Sequence, residues 1–250
     1  MEEFKVKNGN NMVWVIIGII TVISIFIYLY WYFNIRNIDI YTENFTPIGD
    51  INKEVKFSED IGINLKEEAL GLSLKYKAIV GWLRVPGTSI DFPIFQSKDN
   101  IRYSRNNRDN FNDGWGESYL DYRNNINNIY DMKNFIIYGH NTEEDSGFTP
   151  LLNYRSKKYL DNHKYIEFST INQNYKWEIF SVYITTTEFF YIDTVFNDKE
   201  EYFNFISLCK SKSLYNIDVN VTKNDTILTL STCEYSLENG RFVVQAKLVK

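Results

Sequence analysis

The chain holds little of what most reactive or metal-binding sites are made from: its 250 residues include only two cysteines, Cys209 and Cys233, and two histidines, His140 and His163. These four stand far apart without short ligand spacing, which argues against a structural zinc site. No carboxylate cluster suggests a calcium site, and no cofactor is implied. No basic block occurs, and the formal net charge is -5. Phosphate contacts demand a basic face, so a general nucleic-acid binder is excluded. Glycine and proline are sparse, at 12 and 4, while aromatic residues reach 17% with 19 tyrosines and 18 phenylalanines. Such a chain fills a core rather than remaining disordered. It shows no internal repeat and no low-complexity segment.

One long apolar run breaks this pattern. Val13 to Phe33 carries no charge, and at 1.5 Å per residue it spans about 31 Å, enough for the hydrocarbon core of a bilayer. Trp14, Tyr28, Tyr30, Trp31 and Tyr32 lie towards its ends as interfacial anchors do. The run is too long for a cleaved signal peptide, and no small-residue cleavage site follows it. Residues 1–12 then form a cytoplasmic tail, 13–33 a transmembrane anchor, 34–60 a polar stalk with Pro47 and Gly49, and 61–250 a single domain. Lys5 and Lys7 before the span against Arg36 and Lys53 after it favour a cytoplasmic N-terminus only slightly.

Within the domain the hydrophobic period changes once. Leu65, Ala69, Leu72 and Tyr76 recur at helical spacing, predicting an amphipathic helix over 64–76. Strand-like runs follow at 79–85, 90–95, 135–138, 165–169, 175–187, 226–232 and 242–249. Pro86-Gly87 marks the turn between the first two, and Pro93 places its strand at an edge or beside a bulge. Asp198 to Lys212 reads as a helix with an acidic start and a basic end. Many strands with few helices predict a mainly β fold, a barrel or sandwich with peripheral helices.

Cys233 closes the strand pattern Thr226 to Cys233, with Arg241 shortly after it. That reads as a nucleophile with a cation nearby, because the thiolate is the reactive form and a free cysteine titrates near about 8.5. His140 follows the strand-like Asn134 to Tyr138 and Gly139, so both residues belong at strand ends where loops begin, as catalytic side chains often do. His163 lies in a polar turn and reads as a surface or capping residue. Cys209 lies on the apolar face of the last helix, where a free cysteine behaves as a small buried hydrophobe. A Cys209–Cys233 disulfide is the rival reading, made awkward by a helical, core-facing partner for a strand-end thiol.

Thr229-Leu230-Ser231-Thr232-Cys233-Glu234, Tyr138-Gly139-His140 and Arg241 resemble the three active-site motifs of sortases, membrane-anchored cysteine transpeptidases of Gram-positive bacteria. Gly81-Trp82 with Pro86-Gly87-Thr88, Ile90-Asp91-Phe92-Pro93, Asp99-Asn100, Asp121-Tyr122-Arg123-Asn124 and Leu151 to Phe168 resemble class B sortases, as does a helix inserted before the cysteine strand. The resemblance runs in order over 61–250. It implies an eight-stranded sortase β-barrel with N-terminal helices, displayed outside the cell on a single-pass membrane helix. Its partners would be surface proteins bearing a C-terminal sorting motif, commonly Asn-Pro-x-Thr, and an amine of a peptidoglycan precursor or a pilin as acceptor.

By the same resemblance Cys233 is the nucleophile, His140 the acid-base partner and Arg241 the cation, while Asn100, Thr187, Tyr191, Ile192, Ser231 and Glu234 contact substrate. Ser104 departs from the family, standing where a leucine is common and removing an apolar contact from the groove. Physical chemistry supports the three roles. Amide cleavage needs a protonated leaving amine, which His140 as imidazolium supplies, and Cys233 must attack as thiolate. Arg241 keeps its charge and can grip a carbonyl or developing oxyanion. A hydrolytic cysteine protease and a membrane-tethered binding module are the alternatives.

Overall fold

The computed structural model describes residues 18, 21–26, 28–29 and 71–249, apart from 128, 143–145 and 172. The chain divides into Met1–Thr46 and Pro47–Lys250. The expected tail and stalk lie outside the described residues, as does most of the expected anchor. Residues 18, 21–26 and 28–29 are helical, and Val22, Phe26 and Tyr28 among them are exposed. Among the described residues no helix is long and apolar enough to cross a membrane.

The larger unit is a closed barrel of eight strands in the order β1-β2-β3-β4-β7-β8-β6-β5. They are β1 (Ile79–Arg84), β2 (Asp91–Phe95), β3 (Tyr119–Leu120), β4 (Asn134–Tyr138), β5 (Tyr165–Thr170), β6 (Lys176–Thr186), β7 (Ile227–Cys233) and β8 (Gly240–Val249). Closure removes the open edges that would otherwise invite pairing with another chain. The mainly β architecture and the eight strands implied by the family resemblance are therefore present. Seven strands coincide with the strand-like runs in the sequence. β3 does not, since two residues are too few to show a period, yet it joins β2 at Phe95↔Tyr119 to β4 at Tyr119↔Tyr138 and Leu120↔Ile137.

Pro93 sits opposite Trp82 in the β1–β2 ladder, while on the other side of β2 only Phe95 pairs with β3. The proline thus lies on a locally free edge, as its missing N–H requires. The register shift in this ladder falls in β1, between Ile79 and Gly81. Inside the barrel Trp177 packs edge-on to Phe135 at 6.3 Å and donates its indole N–H to the Phe168 carbonyl at 3.0 Å. Each such fully buried side chain contributes roughly 1.5–3 kcal/mol.

The connection between the parallel neighbours β4 and β7 carries the remaining helices: a 3-10 helix, Thr149–Arg155, then α1 (Lys157–Asn162) and α2 (Lys199–Ser211). His163 caps α1, its ring stacked on Tyr159 at 4.1 Å and its backbone N–H bonded to the Tyr159 and Leu160 carbonyls. The last helix matches its sequence signal closely. The Asp198 carboxylate caps it by accepting from the N–H groups of Glu200 and Glu201, and Tyr202, Phe205, Ile206 and Cys209 are buried with Phe180, Tyr183, Ile227 and Val243. Of the expected helix over 64–76, the described part is helical at 71–75, and Leu72 and Tyr76 pack on Ile79, Phe95, Tyr103 and Tyr119.

Candidate active site

Strand register brings the three candidate catalytic residues together. β4 and β7 run parallel with Tyr138 beside Ser231, so Gly139-His140 and Thr232-Cys233 leave the barrel side by side. The Gly139 N–H donates to the Ser231 carbonyl at 3.2 Å, and the Thr232 hydroxyl donates to the Gly139 carbonyl at 2.8 Å. One residue further, the Asn141 amide donates to the Cys233 carbonyl at 3.0 Å. The β7–β8 ladder then sets Cys233 directly opposite Arg241. Opposed residues of an antiparallel pair project to the same face, so thiol and guanidinium share one rim.

Local sequence explains why the rim holds its shape. A side chain at Gly139 would place its Cβ 2.5 Å from the Phe148 ring, so only glycine lets this buried ring pack beneath the histidine strand. His140 Nε2 lies 2.8 Å from the Ser104 carbonyl. A carbonyl can only accept, so Nε2 carries a proton in this arrangement and the ring is oriented by a main-chain oxygen. Trp115 stands edge-on to the same ring at 6.2 Å. Arg241 donates to the Gly240 carbonyl at 2.8 Å. The ion pairs of the described residues engage other arginines, Arg84, Arg108, Arg123 and Arg155, leaving Arg241 aimed at the open cleft.

That cleft has a volume of about 480 Å³ and is lined by His140, Cys233 and Arg241 together with Asn100, Thr187, Tyr191, Ile192 and Ser231. The Tyr191 hydroxyl and Ser231 Oγ are 2.7 Å apart. Burial raises the Tyr191 phenol above its ordinary range, although the Ser231 hydrogen bond and the Arg241 charge oppose this, so it stays neutral at physiological pH. Asn100 donates to Asp121 at 2.9 Å and accepts from the Tyr122 N–H at 3.1 Å, which fixes its amide.

Glu234 is the exception among the residues named from sequence. It is buried away from the cleft lining, ion-paired with Arg155, and accepts from the Ser236 N–H at 3.0 Å. Its side chain braces the β7–β8 loop instead of facing the cavity. Conversely, Tyr119, Phe189 and Phe190 line the cleft without having been singled out, and Tyr138, quoted only as part of the histidine motif, lines it too. Tyr138 belongs to the Tyr138-Gly139-His140 motif but was given no role of its own. Phe189-Phe190 is an aromatic pair in a loop, which composition cannot distinguish from core.

Both cysteines are free, with Cys209 buried and Cys233 partly exposed. Burial pushes the Cys209 thiol up to about 11. Its sulfur lies 3.9 Å from the Tyr183 hydroxyl, in the core beneath α2. Among the described residues no group of histidine, cysteine or carboxylate side chains is arranged to hold a metal ion.

A strand-end thiol, a neighbouring imidazole and a guanidinium that no ion pair of the described residues engages, all lining a peptide-sized cleft, define a thiol-dependent acyl-transfer site on a closed β-barrel. Comparison with known proteins agrees. The sortase domain pattern matches residues 83–249. Sortase B of Listeria monocytogenes is 42% identical over 187 residues, covering 74% of this chain and 75% of that protein. Sortase B of Staphylococcus aureus is 39% identical over 176 residues, covering 70% and 71%. The solved Staphylococcus aureus sortase B–substrate complex superimposes with a TM-score of 0.69 at 37% identity, covering 74% of this chain and 86% of that one. The chain belongs to the sortase family, in its class B, and is a cysteine transpeptidase.

Proposed function

We propose that the chain cleaves surface proteins at a C-terminal sorting motif of the Asn-Pro-x-Thr type and joins the new carboxyl end to an amine of a peptidoglycan precursor or a pilin. Cys233 thiolate attacks the scissile carbonyl carbon, forming a carbon–sulfur bond while the oxyanion rests on Arg241. The carbon–nitrogen bond breaks as imidazolium His140 gives its proton to the leaving amine, which leaves a thioester. An incoming amine then attacks that thioester, His140 takes its proton, and the thiolate departs. The Ser104 carbonyl suits both protonation states of His140, because it accepts from Nε2–H in each.

The observation that carries the reading is the shared rim of Cys233, His140 and Arg241 over a cleft that also presents Asn100, Thr187, Tyr191, Ile192 and Ser231. The similarity to a sortase B solved with its substrate supports a peptide of sorting-motif type as occupant. We place residues 1–12 in the cytoplasm, 13–33 in the cell membrane and 61–250 outside it, the stalk 34–60 setting the distance from the bilayer. Mass spectrometry of the chain with a sorting-motif peptide library and a panel of amines tests the chemistry. An acyl adduct on Cys233 and a ligated product are expected. Free acid alone at saturating amine would instead mark a hydrolase, and an unreactive Cys233 would mark a binding module.

A further inference from the structure

Asp121 is fully buried, and every partner that its carboxylate finds leads to the cleft. Asn100 donates to it at 2.9 Å and the Tyr138 hydroxyl at 2.9 Å, and both residues line the cavity. Arg123 grips it with both prongs of its guanidinium, Nε to Oδ1 and Nη2 to Oδ2, each at 2.8 Å. The same Nη2 also donates to the Ile192 carbonyl at 3.0 Å. A buried carboxylate needs such partners to remain charged. Here they join loops far apart in sequence.

Ile192 lies in the β6–α2 loop, which supplies Thr187, Phe189, Phe190, Tyr191 and Ile192 to the cleft. This loop is held at three consecutive residues. Tyr191 bonds through its hydroxyl to Ser231 at 2.7 Å, Ile192 bonds through its carbonyl to Arg123, and the Asp193 carbonyl accepts from buried Asn134 at 2.9 Å. We propose that the Asp121–Arg123 pair is a positioning unit for the acyl donor, tying the β6–α2 loop to Asn100 and Tyr138 so that the cleft is formed before substrate arrives. This rests on the sorting-motif reading above and assigns to it residues that do not touch the reacting atoms. His140, Cys233 and Arg241 are set instead by the β4–β7 and β7–β8 ladders, so loosening Arg123 weakens peptide binding and leaves the chemistry intact.

The test uses the full-length chain in detergent, comparing wild type with Arg123→Met and Arg123→Lys. Four quantities are measured: KM and kcat for a sorting-motif peptide, the rate of Cys233 alkylation by iodoacetamide, and hydrogen exchange over residues 187–196. Arg123→Met is expected to raise KM about tenfold, as loss of a bridging charge-assisted hydrogen bond implies, with kcat and alkylation unchanged and exchange faster in that segment alone. Lysine keeps the charge beside Asp121 without the fork, so Arg123→Lys is expected to fall between the two. If methionine prevents folding, the lysine variant carries the comparison. A wild-type KM in both variants overturns the proposal, as does a parallel fall of kcat and alkylation. Wild-type protein that is alkylated at Cys233 but cleaves no peptide overturns the sorting-motif reading and the proposal with it, a result distinct from active wild type with unaffected variants.

Discussion

Two thiols in one chain meet opposite surroundings. Cys209 is packed beneath α2 and burial lifts it to about 11, because the apolar core disfavours the thiolate, whereas Cys233 stands on the cleft rim. Iodoacetamide at pH 8 is therefore expected to label Cys233 and spare Cys209 in native protein, which peptide mapping checks. Replacing Cys233 by alanine should abolish both labelling and thioester formation, with the melting temperature unchanged. Arg241→Lys keeps the charge but loses the planar fork, and kcat is expected to fall by about 10²-fold with KM little altered if the group grips the oxyanion. The sequence and the family resemblance pointed to these residues, but not to their immediate partners. A main-chain oxygen, the Ser104 carbonyl, orients His140, and no side-chain pattern announces a carbonyl. Glu234 shows the converse, since a place beside the nucleophile in sequence does not settle which way its side chain turns.

At the scale of elements, strand ends place the chemistry, so small changes at those ends have large effects. Gly139→Ala is expected to displace Phe148, shift His140 and lower kcat together with the melting temperature, because the added Cβ would meet the ring at 2.5 Å. Asp198→Ala removes both capping bonds of α2 and is expected to cost about 1 kcal/mol in chemical denaturation, with little effect on turnover. Long elements were legible because their signals are local: apolar and β-branched runs marked seven strands, while the acidic start, apolar stripe and basic end marked α2. The two-residue β3 was not, since its existence depends on β2 and β4 being present to pair with it.

For the whole molecule, pH and the proposed membrane attachment are the relevant levers. Burial alone would raise the Asp121 carboxyl, but hydrogen bonds from Arg123, Asn100 and Tyr138 outweigh it and hold the folded-state value below the ordinary one. A lowered folded value means stability that is fully present above the unfolded value of about 3.9 and is lost as pH falls through the folded value. The difference in melting temperature between wild type and Asp121→Asn should accordingly be largest at neutral pH and shrink in acid, as calorimetry across pH would show. On the proposed topology, full-length chain should sediment with membranes, and a chain beginning at residue 34 should remain in the supernatant and still cleave peptide.

By itself the sequence determined where seven of the eight strands and the last helix lie, and, through its resemblance to a family, it pointed to the thiol, imidazole and guanidinium that the barrel brings to one rim. Hydrophobic period, capping and turn chemistry act between neighbours along the chain and leave local marks. Tertiary structure alone decided the β4–β7 register that sets His140 beside Cys233, the β7–β8 register that sets Arg241 opposite it, and the Asp121–Arg123 bridge to Ile192. The first and last of these join segments tens of residues apart, and the second a hairpin pair eight residues apart, all through hydrogen bonds that form only as the barrel closes.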